Sequence, residues 1–480
     1  MSSATVSLRV VRSRLKFNKA STYRTLANMA TGHTIQIAPD NTGLWKITQD
    51  ESVAKKASEL LQQDLEKHHV YFNDRGFHNH LTHHILSLYG TGASAEHLQK
   101  AYDVNVSYQR PVVELHEKVV QELGDWEAAK KRLGKEQYYT DFLAFFQNEV
   151  DKLGWEKVLN EYLFKGDEKS EDMLVRMFAG LLHPLIQLMY GIEWKQPAIV
   201  AMALAQAAVH QNHLGKFLHT AEEASTSSPT PMPRIVSLLE DVRANEKLVI
   251  ASKLDDVANK VRGVLNKAWD EIIDITRRVK VTPEELDERT AEMYHTTIYE
   301  AASAAFHPGK EPKFDFFLIH HVNIAPIFVT INEQDWISTE VKVRLLEWKI
   351  RMDLIQYAAI NCPPLRFDQF TSYVPRDKKV VPTEELARRV QDIENDDGHA
   401  IKLFRAVVLG RTVSEKYEDK EWIKIKGDLW TKLNHLIVDS LEAPAPRWIY
   451  GAADPKAWDE MPDLRGDVNG VSDKLDQVHL

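Results

Sequence analysis

Apolar residues recur at three- and four-residue spacing through most of the chain, as in "ASELLQQDLEKH", "EDMLVRMFAGLLHPLIQLMYG", "PAIVAMALAQAAVHQNHLGKFL" and "VKVRLLEWKIRMDLIQYAA". That period is helical and predicts a mostly α fold. Start signals agree: Pro197 stands at a first-turn position, and "TPEEL" at 282–286 and "PTEEL" at 382–386 follow a capping threonine or proline with acids. Gly90, Gly191 and "NCPP" at 361–364 read as stops. Strand patterns are few and short, "HTIQIAP" at 33–39 and "APIFVTI" at 325–331. The pattern predicts a single large multi-helix body around an internal cavity. It spans 33–463, carries a Ser/Thr/Pro-rich loop at 222–234, and is flanked by a basic N-terminal segment, 1–32, and a polar tail, 464–480.

Composition narrows the function classes. With 480 residues, 44% hydrophobic and 27% charged, the chain can bury a sizeable core. A net charge of −10 leaves no basic stripe for nucleic acid, and no apolar run reaches the ~18 residues of a membrane span. The single cysteine, Cys362, rules out an internal disulfide, an all-thiolate zinc site and an iron–sulfur cluster. It points to a reducing compartment. Residues 1–32 hold Arg9, Arg12, Arg14, Lys16, Lys19 and Arg24 and no acid, so a mitochondrial address stands beside the expected cytoplasmic one.

Candidate chemistry begins at "FHNHLTHHILSLYG", residues 77–90, with His78, His80, His83 and His84. On a helix from 80, a step of about 100° per residue puts His80, His83, His84 and Ser87 on one strip and Leu81, Ile85, Leu88 and Tyr89 on the packing face. The strip can face water, line a cavity as acid–base groups, or hold a metal through His80 and His84 at i, i+4. It lacks the Asp of an HxHxDH hydrolase motif, Thr82 standing in that place, and no metal ligands are assigned. "GTGASA" at 90–95 imitates a dinucleotide loop but follows a helix, so it reads as a stop. More histidines sit in apolar segments: His183, His210, His213, His320, His321 and His399.

"FHNHLTHHILSLYGTGAS", "GLLHPLIQLMYGIEW", "ALAQAAVH", "FDFFLIHHVN", "LLEWKIRMDLIQYAA" and "DDGHAIKLFRA" resemble, in order, the blocks of the questin oxidase-like family, over about residues 45 to 450. The resemblance implies Baeyer–Villiger insertion of oxygen beside a ring carbonyl of an anthraquinone-type polyketide, with histidines aligned to His80, His183 and His320 retained. It implies a small aromatic polyketide substrate and molecular oxygen as co-substrate. No cofactor is recognisable from sequence; NADPH, used directly or through a partner reductase, stays open. In this reading His80 is the base, His84 is its orienter or the proton donor, and His183 and His320 hold the phenol and carbonyl oxygens. His83, His210, His321, Phe317, Trp348 and Glu193 are expected around the substrate. Glu347 and Arg351 read as an i, i+4 surface pair. A histidine-ligated hydrolase or oxygenase and a non-catalytic helical scaffold are the alternatives.

Overall fold

The computed structural model describes residues 29–226, 230–252, 260–377 and 379–464. The basic segment 1–28, positions 227–229 of the Ser/Thr/Pro loop and the tail beyond 464 lie outside them. Helices form nearly all the regular structure, and the described residues contain only isolated β-bridges. Nine helices build the site: α1 (Glu51–Lys67), α2 (Leu81–Gly90), α3 (Tyr139–Leu153), α4 (His183–Glu193), α5 (Pro197–Val209), α6 (Leu286–Ala304), α7 (Phe316–Ile324), α8 (Thr339–Ala359) and α9 (His399–Ser414).

At the centre lies α5, which starts on Pro197 and is buried on all sides from Ala198 to Val209. Its alanines let α3 and α4 approach closely, and Gly191 of α4 completes the fit. A Cβ there would lie 2.9 Å from the Val200 backbone nitrogen. A helix apolar on every face can only be an interior helix. The same holds for α2 and α7, in which every residue is buried. The wheel's division of α2 into polar and packing strips therefore fails, because neighbours cover both faces.

Burial on all sides also explains two other departures. "APIFVTI" is not a strand: residues 326–332 form a helix begun by Pro326, and a short apolar run buried all round shows neither period. Segment 33–39 is extended but joins no sheet; side chains of Gln62, Gln196 and Ser58 accept from its backbone N–H groups. Glu347 and Arg351 do pair at i, i+4, yet inside the protein, where Arg351 also donates to the Val279 carbonyl.

Glu193, expected beside the substrate, instead closes the core. Its carboxylate pairs with the buried Arg405 of α9 and accepts from the Leu44 N–H at 2.7 Å, tying the start of the body to its end. Arg405 lies over Trp194, 5.1 Å from the ring centre. Burial pushes the Glu193 carboxyl up and Arg405 pulls it back. Removing one partner of such a pair leaves a buried charge alone, so Arg405→Met should cost about 3–5 kcal/mol of unfolding free energy in urea titration. Glu193→Leu combined with it should recover most of that loss; an unchanged midpoint in the single variant would refute the role.

Candidate active site

Three helix starts converge on one point. His80 caps α2, His183 opens α4 and His399 opens α9, while His320 enters from the middle of α7. Their rings close a square, with centroid separations of 5.1 Å for His80–His183, 5.1 Å for His183–His320, 4.8 Å for His320–His399 and 4.6 Å for His399–His80. His78 stacks on His183 at 3.8 Å, and its Nε2 lies 2.8 Å from His210 Nε2. Tyr71 closes that lower layer through its hydroxyl against the His210 ring.

Local sequence explains how two of these rings arrive. Before His183 the backbone runs left-handed through Gly180, Leu181 and Leu182, at φ 55°, 54° and 66°. This turn aims the Gly180 carbonyl back at His183 Nδ1, 2.6 Å away. Glycine is required there, since a Cβ would overlap the His210 ring. Before His399, "DDG" divides the labour. Asp396 caps α9 by accepting from the Ala400 N–H, Asp397 turns to the His399 ring, and Gly398, at φ 95°, closes against His84.

Proton positions follow from these partners. A carbonyl only accepts, so His183 carries its hydrogen on Nδ1 toward Gly180, and His320 does so toward the Phe316 carbonyl at 2.6 Å. His399 Nδ1 lies 2.7 Å from Asp397 Oδ1. Burial raises the Asp397 carboxyl, but His399 and Lys402 outweigh it and hold it below the usual carboxylate range, so His399 donates from Nδ1. Each of these rings then has a bare Nε2 when neutral, and burial pushes His80, His183 and His320 well below the ordinary imidazole range. Yet His320 Nε2 and His399 Nε2 stand 3.1 Å apart, and His80 Nε2 stands 2.9 Å from His183 Nε2.

Two lone pairs at 3.1 Å can share a cation between them. A proton is disfavoured by burial. A metal suits the distance, because two nitrogens each about 2.1 Å from one ion at a right angle are about 3.0 Å apart. Carbonyl and carboxylate partners on Nδ1 are also what orients metal-binding imidazoles. Ring nitrogens of His80 and His399 and an oxygen of Asp397 lie within 4.8 Å of one another, close enough to share an ion.

Other expected residues fall elsewhere. His84 does not orient His80: it turns to the outer side of α9, with Nε2 3.7 Å from Asp396 Oδ2. His83 lies behind the square, bonded to Gln187 Oε1 at 2.7 Å and stacked on Tyr190. His210 belongs to the lower layer. His321 and Phe317 leave α7 toward a separate cavity. Trp348 packs on Phe178 and under Arg344, outside the square. Asp397 and Lys402 carried no signal beyond standing near His399 in "DDGHAIK". Lys402 is buried with no partner for its amine, which burial draws down to about 8 against the attraction of Asp397 and Asp396.

A family model described as questin oxidase-like matches residues 77–407, which include every ring of the square. The chain belongs to the questin oxidase-like family. It is 36% identical over 443 residues to the Baeyer-Villiger oxidase ptaJ of Pestalotiopsis fici, covering 91% of this chain and 99% of that one. It is 34% identical over 447 residues to the questin oxidase of Aspergillus terreus, covering 92% and 100%. With the Baeyer-Villiger monooxygenase dmxR6 of Cryptosporiopsis the identity is 35% over 442 residues, 90% and 98%. This questin oxidase-like chain is thus an oxidoreductase of the Baeyer–Villiger oxidase class, which sets aside the non-catalytic scaffold. None of its described helices is long and apolar enough to cross a membrane.

Asp397→Ala removes the group that fixes His399. Loss of such an orienting carboxylate typically costs about 10- to 100-fold in activity or metal affinity. The variant should show that loss in oxygen-uptake assays while its thermal midpoint stays near wild type, since Asp397 is only half-buried. Wild-type uptake would show that the carboxylate has no part in the site.

Proposed function

We propose that the chain inserts one oxygen atom beside a ring carbonyl of an anthraquinone-like polyketide, at a redox-active first-row metal that the histidine square would hold, His80, His399 and Asp397 offering the closest set of ligand atoms and His320 Nε2 standing beside His399. The observation that carries the reading is the meeting of bare nitrogens, His320 Nε2 with His399 Nε2 at 3.1 Å, in a site that disfavours protons. Relatives named Baeyer-Villiger oxidase and questin oxidase support the reaction class and the aromatic polyketide substrate. Imidazole donors suit iron or copper, and such a metal, if held there, would supply the one-electron steps that dioxygen needs.

The protein's own groups do the rest. Gly180, Phe316 and Asp397 keep three rings in the tautomer that points Nε2 inward. The starts of α2, α4 and α9 bring positive helix ends to the square, which favours negative charge forming on oxygen during reaction. Phe316 covers His320 and His399 at 4.7 and 5.1 Å and is itself covered by Tyr450 at 4.6 Å, an aromatic cap that keeps water off the rings. Insertion of one oxygen atom releases the other as water and consumes two electrons and two protons. A pre-reduced substrate or NADPH, directly or through a partner reductase, supplies them.

The competing reading gives His80 the part of a metal-free general base, since its Nδ1 faces Asp397 Oδ2 at 3.8 Å. Elemental analysis decides. Purified protein should hold about one equivalent of iron or copper per chain, and chelation should abolish oxygen uptake with a reduced hydroxyanthraquinone. His320→Ala should lose the metal and at least about 10²-fold of turnover. Full turnover after complete chelation would leave the base; no uptake from metal-replete protein with any reduced hydroxyanthraquinone would defeat the oxygenase itself.

A further inference from the structure

Beside the loop that delivers His183 lies a cavity of about 150 Å³. Gly180, Leu181 and Leu182 form part of its wall, so the left-handed turn borders both it and the histidine square. Helix α7 is shared as well: His320 enters the square, and the next residue, His321, lines the cavity. Leu214, Phe317 and Met352 make much of the remaining wall apolar.

Two of the residues that line it carry a buried polar atom without a partner. His321 Nδ1 lies 2.5 Å from Asp353 Oδ1, and Asp353 is held in turn by the buried Lys349, so His321 donates from Nδ1 and keeps a lone pair on Nε2. That Nε2 is buried and has no partner, and neither has the amide nitrogen of Gln356, three residues after Asp353 on α8. Such atoms are costly to bury unmatched. Here the acceptor and the donor belong to two residues that line one largely apolar space. Positive charge is present too: Lys260 lies over the Phe317 ring at 5.2 Å, and Arg262 stands at the rim.

We propose that this cavity is a subsite for one hydroxylated aromatic ring of the substrate. The ring hydroxyl donates to His321 Nε2 and a neighbouring ring oxygen accepts from Gln356. A cavity of about 150 Å³ accommodates a benzene-sized ring, so the subsite takes one ring of a polycycle and leaves the others outside it. The assignment rests on the polyketide reading above for its ligand class. It adds to that reading a recognition element outside the square.

The test is binding without turnover. Oxidised 2-hydroxyanthraquinone, whose hydroxyl is not tied to the quinone carbonyl, and unsubstituted anthraquinone are titrated into the full-length protein as purified, with no reductant, and followed by tryptophan quenching. Wild type should bind the hydroxylated ring about five- to tenfold more tightly. Gln356→Met, which removes the donor and keeps the volume, should bring that ratio down toward one and raise KM more than it lowers kcat. Equal affinity of wild type for the two probes overturns the subsite whatever the variant does, and so does a ratio unchanged in a folded Gln356→Met. Hydroxyl preference without oxygen uptake in the reduced assay would sink the oxygenase and spare the subsite; uptake without hydroxyl preference would do the reverse.

Discussion

Everything near the histidine square depends on satisfying imidazole rings that water does not reach. A buried N–H without an acceptor costs about 1–3 kcal/mol, and the chain meets that demand with main-chain carbonyls and one carboxylate. His210 and His320 each return a hydrogen to the carbonyl four residues earlier, of Gln206 and Phe316. His183 reaches its carbonyl only because the preceding turn is left-handed. Once Nδ1 is satisfied from behind, the opposite nitrogen faces inward without a hydrogen. The shape of the backbone thereby sets the charge state of the centre.

That constraint links regions that otherwise have separate duties. Asp396 and Asp397 are adjacent, yet one secures a helix start and the other holds a ring. His320 and His321 are adjacent, yet they serve different spaces. The Glu193–Arg405 pair joins the end of α4 to α9, so the two helices that carry His183 and His399 are locked together near their middles and ends. Precision at the square therefore comes from helix–helix locking as much as from the rings' own partners.

The helical body was legible because a 3.6-residue period survives in long segments such as α1 and α3. It faded in "APIFVTI", which is apolar on every side and shows no period. His80 stood out in a cluster of four histidines and His183 and His320 as imidazoles in apolar segments, the family resemblance singled out these three, and the square contains all of them. His399 was visible in "DDGHAIK", but nothing in the sequence marked Asp397 as its partner, because that contact depends on the positive φ of Gly398. Glu193 and His84 misled for a common reason. A polar residue next to a candidate motif looks available to it, whereas in the folded chain each was already engaged, with Arg405 and with the Asp396 side of α9.

One feature of the square bears on how the molecule comes into being. Its corners are drawn from positions 80, 183, 320 and 399, in four helices spread over more than 300 residues. A ribosome releases them in that order, and the first three corners exist for as long as the rest of the chain takes to emerge. During that interval the incomplete body carries imidazoles and apolar helix faces that α9 will later cover, the kind of surface that aggregates or recruits chaperones. The centre cannot close before α9 has emerged, and its integrity reports on the folding of the entire body.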